Sequence, residues 1–336
     1  MIRGKRKIWV ILWTLAAWMV LFANIDLGQA KDPDYPTKPI EFYIGMSPGG
    51  STDLACRGLI TPANKYLAQP FVPINKAGGG GTIAVMGVLT AKPDGYTIGA
   101  CSSAQAVAAP LSGLAPYKDI TGFTWITRFG GYITPLLCRS DAPWKDFKDF
   151  IAWARENPRA VKIATTAARN VDIKGFILWQ VEKREQVEFT YVPFKGGADA
   201  VTSLLGGHTN ASIVTTDATS ASYITEGKLR ILAYLAPHKV SGFENVPSLK
   251  EMYGIDMPDF LAIYGPKGLP GYVVKKLEGV FAKSVKDSDF KKIMDRMFMP
   301  VSFMNGAQCK EHVDGWYSKI GKIYEQMKAD EEGQKK

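Results

Sequence analysis

The residues that could do chemistry in this sequence gather in three short turns. Met46-Ser47-Pro48-Gly49-Gly50-Ser51-Thr52-Asp53 joins a β-like run, Ile40–Ile44, to a stretch in which Ala55, Leu59, Ala63 and Tyr66 recur at helical spacing. At such a junction the first helical N–H groups lack internal acceptors and the helix dipole adds partial positive charge, so an anion is stabilised. Gly49 and Gly50 permit close backbone approach, and Ser51, Thr52 and Asp53 suit a helix cap. Taken alone, the stretch is equally a tight turn ahead of a capped helix. Gly78-Gly79-Gly80-Gly81 follows a second strand-like run, and Ser102-Ser103 follows a third. Three such turns point to one converging site.

Other chemistries find little support. His208, His238 and His312 stand far apart, and the four cysteines, Cys56, Cys101, Cys138 and Cys309, form no Cys-x-x-Cys pair, so no metal is expected. A Gly-x-Ser-x-Gly nucleophile turn and a Gly-Lys-Ser/Thr phosphate loop are both absent. The glycines at 78–81 lack the spacing of a dinucleotide fingerprint, and no acidic residue ends the next strand where a ribose would need one. No catalytic residue and no cofactor are expected. Cys56 and Cys101 each lie just past a proposed turn, so a disulfide between them and four buried thiols both remain open.

The elements that must position these turns are legible in the hydrophobic pattern. At 336 residues and 46% hydrophobic the chain can bury two α/β cores. Of the net charge of +9, Arg3, Lys5, Arg6 and Lys7 against Asp26 place +3 in residues 1–30. The remaining basic residues are interleaved with acidic ones and form no stripe with aromatics, so nucleic acid is not an expected partner and an anionic small molecule is the more economical one. Residues 1–30 read as a secretory signal peptide: a basic start, an apolar run over 8–22, and Leu27-Gly28-Gln29-Ala30 before the cut. The rival reading is an uncleaved anchor.

From residue 40 onward strands and helices alternate, which predicts parallel sheets with helices on their faces. Strands are expected near 40–44, 71–75, 96–100, 125–129, 135–138, 161–165, 189–192, 211–215, 229–234 and 260–264. The first helix is expected over 52–67, bent or broken by Pro62. After residue 266 the chain reads as mainly helical. Cys309, Val313, Trp316, Ile320, Ile323 and Met327 make an apolar stripe that predicts a last helix packed on the body.

Several stretches together resemble the solute-binding proteins of tripartite tricarboxylate transporters, the Bug family. They are Tyr35-Pro36-Thr37-Lys38-Pro39-Ile40, Ser47-Pro48-Gly49-Gly50-Ser51-Thr52-Asp53, residues 75–81, Pro93-Asp94-Gly95-Tyr96-Thr97, Val192-Pro193-Phe194-Lys195-Gly196-Gly197, residues 204–208, Gly227-Lys228-Leu229-Arg230 and Val246-Pro247-Ser248-Leu249. They run in family order from Tyr35 to the last helix. The resemblance implies an α/β type II periplasmic-binding-protein fold, two lobes around a ligand cleft. Its expected boundaries are residues 31–137 for the first part of lobe 1, 138–261 for lobe 2, and 262–336 for the return to lobe 1 and the C-terminal helices. Hinges are expected near 137–140 and 262–266.

It also implies a periplasmic, monomeric receptor that captures a small organic carboxylate and delivers it to membrane permease subunits. A receptor reporting to a sensor kinase, and an extracytoplasmic enzyme with a glycine-rich anion site, are the alternatives. Carried over, Ser47, Gly49, Gly50, Ser51, Thr52 and Asp53 form the first ligand wall, with Gly79, Gly80, Gly81, Ser102 and Ser103 beside it. The opposing lobe would present Thr166, Arg169, Asn170, Lys195, Gly196 and Asp217. The chain departs from the family twice on that lobe. Thr165-Thr166-Ala167-Ala168-Arg169-Asn170 replaces a Gly-Ser-Ser-Gly-like loop, and Asp217-Ala218 replaces Asp-Asn. Arg169 there either pairs with a second carboxylate or points into solvent.

Overall fold

Ile40, Phe42, Tyr43 and Ile44 are all buried in β1 (Ile40–Ile44), and Glu41 alone is exposed, the pattern of a strand covered on both faces. The computed structural model describes residues 34–166, 173–194, 196–235, 243–256 and 260–333. Around β1 the first sheet takes β2 (Phe71–Asn75), β3 (Thr97–Ser102), β4 (Phe123–Gly130), β10 (Leu261–Pro266) and β11 (Val301–Asn305), in the order β11-β4-β10-β3-β1-β2. The second takes β5 (Thr134–Arg139), β6 (Lys162–Thr165), β7 (Thr190–Pro193), β8 (Ala211–Ile213) and β9 (Leu229–Leu235), in the order β7-β6-β8-β5-β9.

Neither sheet is purely parallel, which corrects the expectation. Strands β1, β2 and β3 run parallel, as do β6, β7 and β8, but β10 is antiparallel to β3 and β4, and β5 is antiparallel to β8 and β9. The two reversed strands are those by which the chain enters a sheet from the other one. Only residues 131–133 separate β4 from β5, too few for the crossover helix that a parallel entry needs. Strand β11 also falls in a stretch expected to be helical, and its hydrogen bonds to β4 decide the matter.

The crossings lie outside the expected hinges. Residues 137–139 pair with β8 and β9, and Leu261–Pro266 pairs with both β3 and β4. The first crossing is at 131–133, so Thr134 to Leu137 lie in the second sheet, ahead of the boundary expected at 137/138. The return lies between Tyr253, whose ring meets Phe147, and Phe260, whose ring meets His312.

Helix α1 (Ser51–Ala63) follows β1, and α2 (Thr82–Leu89) follows β2. Pro62 falls in the last turn of α1, where the donor it lacks costs little, and the chain tightens into a 3-10 turn over Asn64–Tyr66. In the second sheet the helices are α3 (Phe147–Glu156), α4 (Ile173–Glu185), α5 (Gly197–Leu205) and α6 (Ala218–Thr225), with α7 (Leu249–Tyr253) before the return. Helices α8 (Gly271–Ser284) and α9 (Ser288–Arg296) cover α1, where Leu59, Phe281 and Phe290 are fully buried and each contributes about 1.5–3 kcal/mol of transfer free energy. The last helix, α10 (Gly306–Gly333), buries Cys309, Val313, Ile320 and Met327 of its stripe. It begins against β4 and reaches α4, where Tyr324 meets Phe176 and Asp330 pairs with Lys183 at 2.6 Å.

All four cysteines are buried free thiols. Burial pushes Cys309 up to about 12 and Cys56 and Cys101 higher still, so none is a ready nucleophile.

Candidate functional site

The loop between β1 and α1 is shaped by its glycines. Gly49 has φ +80°, the left-handed region, whereas Gly50 has φ −70° and occupies the N-cap position with no side-chain cap. The sequence expectation of a Ser51, Thr52 or Asp53 cap is therefore displaced by one to three residues: these side chains sit inside the first turn. The consequence is chemical, because no hydroxyl or carboxylate occupies the helix N-terminus that an anion would use.

Asp53 faces away from that opening. It is 2% exposed, and its carboxylate accepts the Gly49 N–H at 2.9 Å, Arg57 Nε at 2.8 Å and Asn75 Nδ2 at 2.8 Å. Asn75 Nδ2 also donates to the Met46 carbonyl, and Arg57 Nη2 donates to Asn75 Oδ1. Burial alone would raise the Asp53 carboxyl, but the Gly49 N–H, the Asn75 amide and the Arg57 guanidinium outweigh it and hold it below its usual 3.8. Asp53 thus clamps both ends of loop 46–50 from behind.

A second clamp joins the other two turns. Gln105 Nε2 donates to the Gly80 carbonyl at 2.6 Å, while its Oε1 accepts Ser102 N–H at 2.8 Å and Ser102 Oγ–H at 2.7 Å. Gly81, at φ +94°, passes so close that a Cβ would lie 2.9 Å from Gln105 Nε2. A Cβ on Gly45 would stand 2.9 Å from both the Cα and the carbonyl oxygen of Gly81. The glycine turn and the β1 turn are therefore packed backbone to backbone. Thr52 Oγ1 and the Tyr132 hydroxyl share a hydrogen bond, which links the first turn of α1 to the crossing at 131–133.

A cavity of about 460 Å³ opens where these turns meet the strand ends of the second sheet. Its size is that of a small-molecule site. Of the expected residues, Ser47, Gly50, Ser51, Thr52, Gly79, Gly80, Ser102, Thr166, Gly196 and Asp217 line it. Gly49, Asp53, Gly81 and Ser103 do not: Asp53, Gly81 and Ser103 are buried, and Gly49 turns its N–H to Asp53. Arg169, Asn170 and Lys195 lie outside the described residues.

On the second-sheet side Asp217 caps α6. Its Oδ1 accepts Ser220 N–H at 2.7 Å, and Ser220 Oγ accepts Asp217 N–H at 2.9 Å. Lining residues that sequence reasoning missed include Gln105, Leu114, Tyr132, Lys174 and Thr215. One of them had a signal: Lys174 is the sole charged residue between Asp172 and Glu182, in an otherwise apolar helical run. Among the described residues no group of three or more His, Cys, Asp or Glu side chains could hold a metal, and no helix is long and apolar enough to cross a membrane.

A second cavity of similar volume lies beside the first, lined by Leu54, Arg57 and Phe290 among others, with Ala218 contributing from α6. It shares α1 with the main cavity but lacks the glycine turns, so it offers no comparable set of backbone donors.

Two sheets, each feeding turns into one cavity that is rich in backbone donors and without a nucleophile and base among its described lining, define a binding protein of the two-lobed type II periplasmic class. The tripartite tricarboxylate transporter family receptor pattern matches residues 56–328, and the chain belongs to that family. The UPF0065 protein in the gbd 5′ region of Cupriavidus necator is 30% identical over 282 residues, covering 84% of this chain and 85% of that relative. Protein BugT of Bordetella pertussis is 30% identical over 263 residues, covering 76% of this chain and 78% of BugT. The crystal structure of a TctC solute binding protein from Polaromonas, solved with no ligand, has the same fold, with a TM-score of 0.72 at 28% identity over 87% of this chain and 99% of that one.

Proposed function

We propose that this receptor is exported, with residues 1–30 as its signal peptide, captures a small organic carboxylate between its lobes, and delivers it to the membrane permease subunits of a tripartite tricarboxylate-type transporter. One observation carries the reading: the uncapped N-terminus of α1 and the Gly79-Gly80 turn line the same cavity as Thr166, Gly196 and Asp217 from the second sheet. In it the carboxylate lies against Ser47, Gly50, Ser51 and Thr52, with Gly79, Gly80 and Ser102 beside them, and the second sheet closes over its far end. The lobes are residues 34–130 with 261–333, and residues 134–235, and the hinge is at the crossings 131–133 and 254–260. Closure by rotation about such crossings is a common mode in two-lobed binders.

The purified protein is to be incubated with a panel of mono-, di- and tricarboxylates and followed by calorimetry and product analysis. Saturable binding of at least one carboxylate without turnover is expected. Turnover of a bound compound, or binding of none, would defeat the reading.

A further inference from the structure

Lys174 is the one cationic side chain among the described residues lining the cavity, and it is 9% exposed. It occupies the second position of α4, where the positive end of the helix dipole opposes an ammonium group, and burial opposes it again. A ligand anion that reaches Lys174 recovers what both terms cost. On the wall contributed by the first sheet, the uncapped N-terminus of α1 at Gly50, Ser51 and Thr52 is a separate anion-attracting feature. The cavity therefore presents two positive features on two different lobes. Asp217 on the Lys174 side directs Oδ1 to the Ser220 N–H and hydroxyl, so much of its charge is spent on capping its own helix.

We propose that Lys174 is the specificity-determining residue of this site, receiving a second anionic group and so selecting dicarboxylates over monocarboxylates of the same chain length. This rests on the proposed carboxylate-binding function and adds the residue that reads the distal end. A monocarboxylate held by the first wall would leave its apolar end against the Lys174 ammonium, and that mismatch disfavours it. A dicarboxylate satisfies both lobes at once and also rewards closure.

The test compares succinate with butyrate and adipate with hexanoate by calorimetry, on the parent protein, on Lys174→Met, which keeps the length of the side chain and removes its charge, and on Lys174→Arg. In the parent, at least one dicarboxylate should bind about ten- to a hundredfold more tightly than its monocarboxylate partner, the range expected of a hydrogen bond to a charged group. Lys174→Met should erase that preference while leaving the monocarboxylate within about twofold, and Lys174→Arg should retain it. Equal affinities within both pairs in the parent, or a preference that survives in Lys174→Met, would overturn the inference and leave the carboxylate-binding function standing. Should Lys174→Met fail to fold, the parent comparison alone still decides. Binding of none of the four overturns the inference, and the wider carboxylate panel then decides the proposed function separately.

Discussion

The two walls of the cavity are built on different principles. The wall from the first sheet is backbone, braced from behind: Asp53, Asn75 and Arg57 hold loop 46–50, Gln105 ties Ser102 to Gly80, and Gly45 lies against Gly81. The wall from the second sheet is made of helix starts carrying side chains, Lys174 at the head of α4 and Asp217 at the head of α6. Backbone donors locked in place before the ligand arrives suit a group common to every ligand, because little ordering is left to pay at binding. Side chains suit what varies between ligands, since one substitution changes charge or reach without moving the chain. The difference teaches that affinity for a carboxylate and choice among carboxylates can be separated in this fold.

Damage to the braced wall should weaken all carboxylates together, and the largest loss is expected at its tightest contact. Gly45→Ala places a methyl group 2.9 Å from the Gly81 backbone, so the two turns must separate. Calorimetry should find binding lost, with thermal unfolding showing a stability cost of about 3 kcal/mol. Near-parental binding would mean that the two turns do not act as one surface.

Asp53→Ala comes next. It strands Arg57, Asn75 and the Gly49 N–H together, and because Arg57 is partly exposed, the cost in denaturant unfolding should be about 2 kcal/mol. The same residue sets a pH dependence. Its folded pKa lies below 3.8, so its stabilisation is fully present above 3.8 and is lost as pH falls through the lower folded value. Parent and variant stabilities should therefore converge in strong acid and differ at neutral pH. A constant difference across that range would break the link between the clamp and the ionised carboxylate.

The smallest effect is expected where the braced wall meets the crossing. Tyr132→Phe removes one hydrogen bond to Thr52 and should weaken binding by about 0.5–1.5 kcal/mol, equally for mono- and dicarboxylates. An effect on one class only would place Tyr132 with the selective wall and blur the comparison.

Much of the architecture was legible because local signals and tertiary demands agree. The apolar run Ile40–Ile44, the turn glycines and the spacing of Ala55 and Leu59 announce a strand, a turn and a helix, and these stand within a residue or so of their expected places. Strand β11 was illegible because Val301–Asn305 forms a strand by hydrogen bonding to β4, a partner far away in sequence. Strand direction was misread for a similar reason. Alternation of strands and helices implies parallel pairing only while helices intervene, and the link at 131–133 has none.

In the site, the sequence by itself determined which segments carry the turns and that they would offer backbone donors, because glycine and hydroxyl residues at a strand-to-helix junction leave the first N–H groups without internal acceptors. It also determined membership of the family, since the matching segments recur in order along the chain. Only the tertiary structure decided which side of each turn faces the cavity. Asp53 has the type and position of a ligand contact, yet Arg57 and Asn75, the latter on β2, draw its carboxylate behind the loop. Lys174 has the type of a solvated surface lysine, yet packing of the surrounding run, Ile173, Phe176, Ile177 and Leu178, buries it at the head of α4 on the cavity wall. The reason is the same in both cases: a charged side chain goes where its burial cost is offset, and the groups that offset it are assembled by folding.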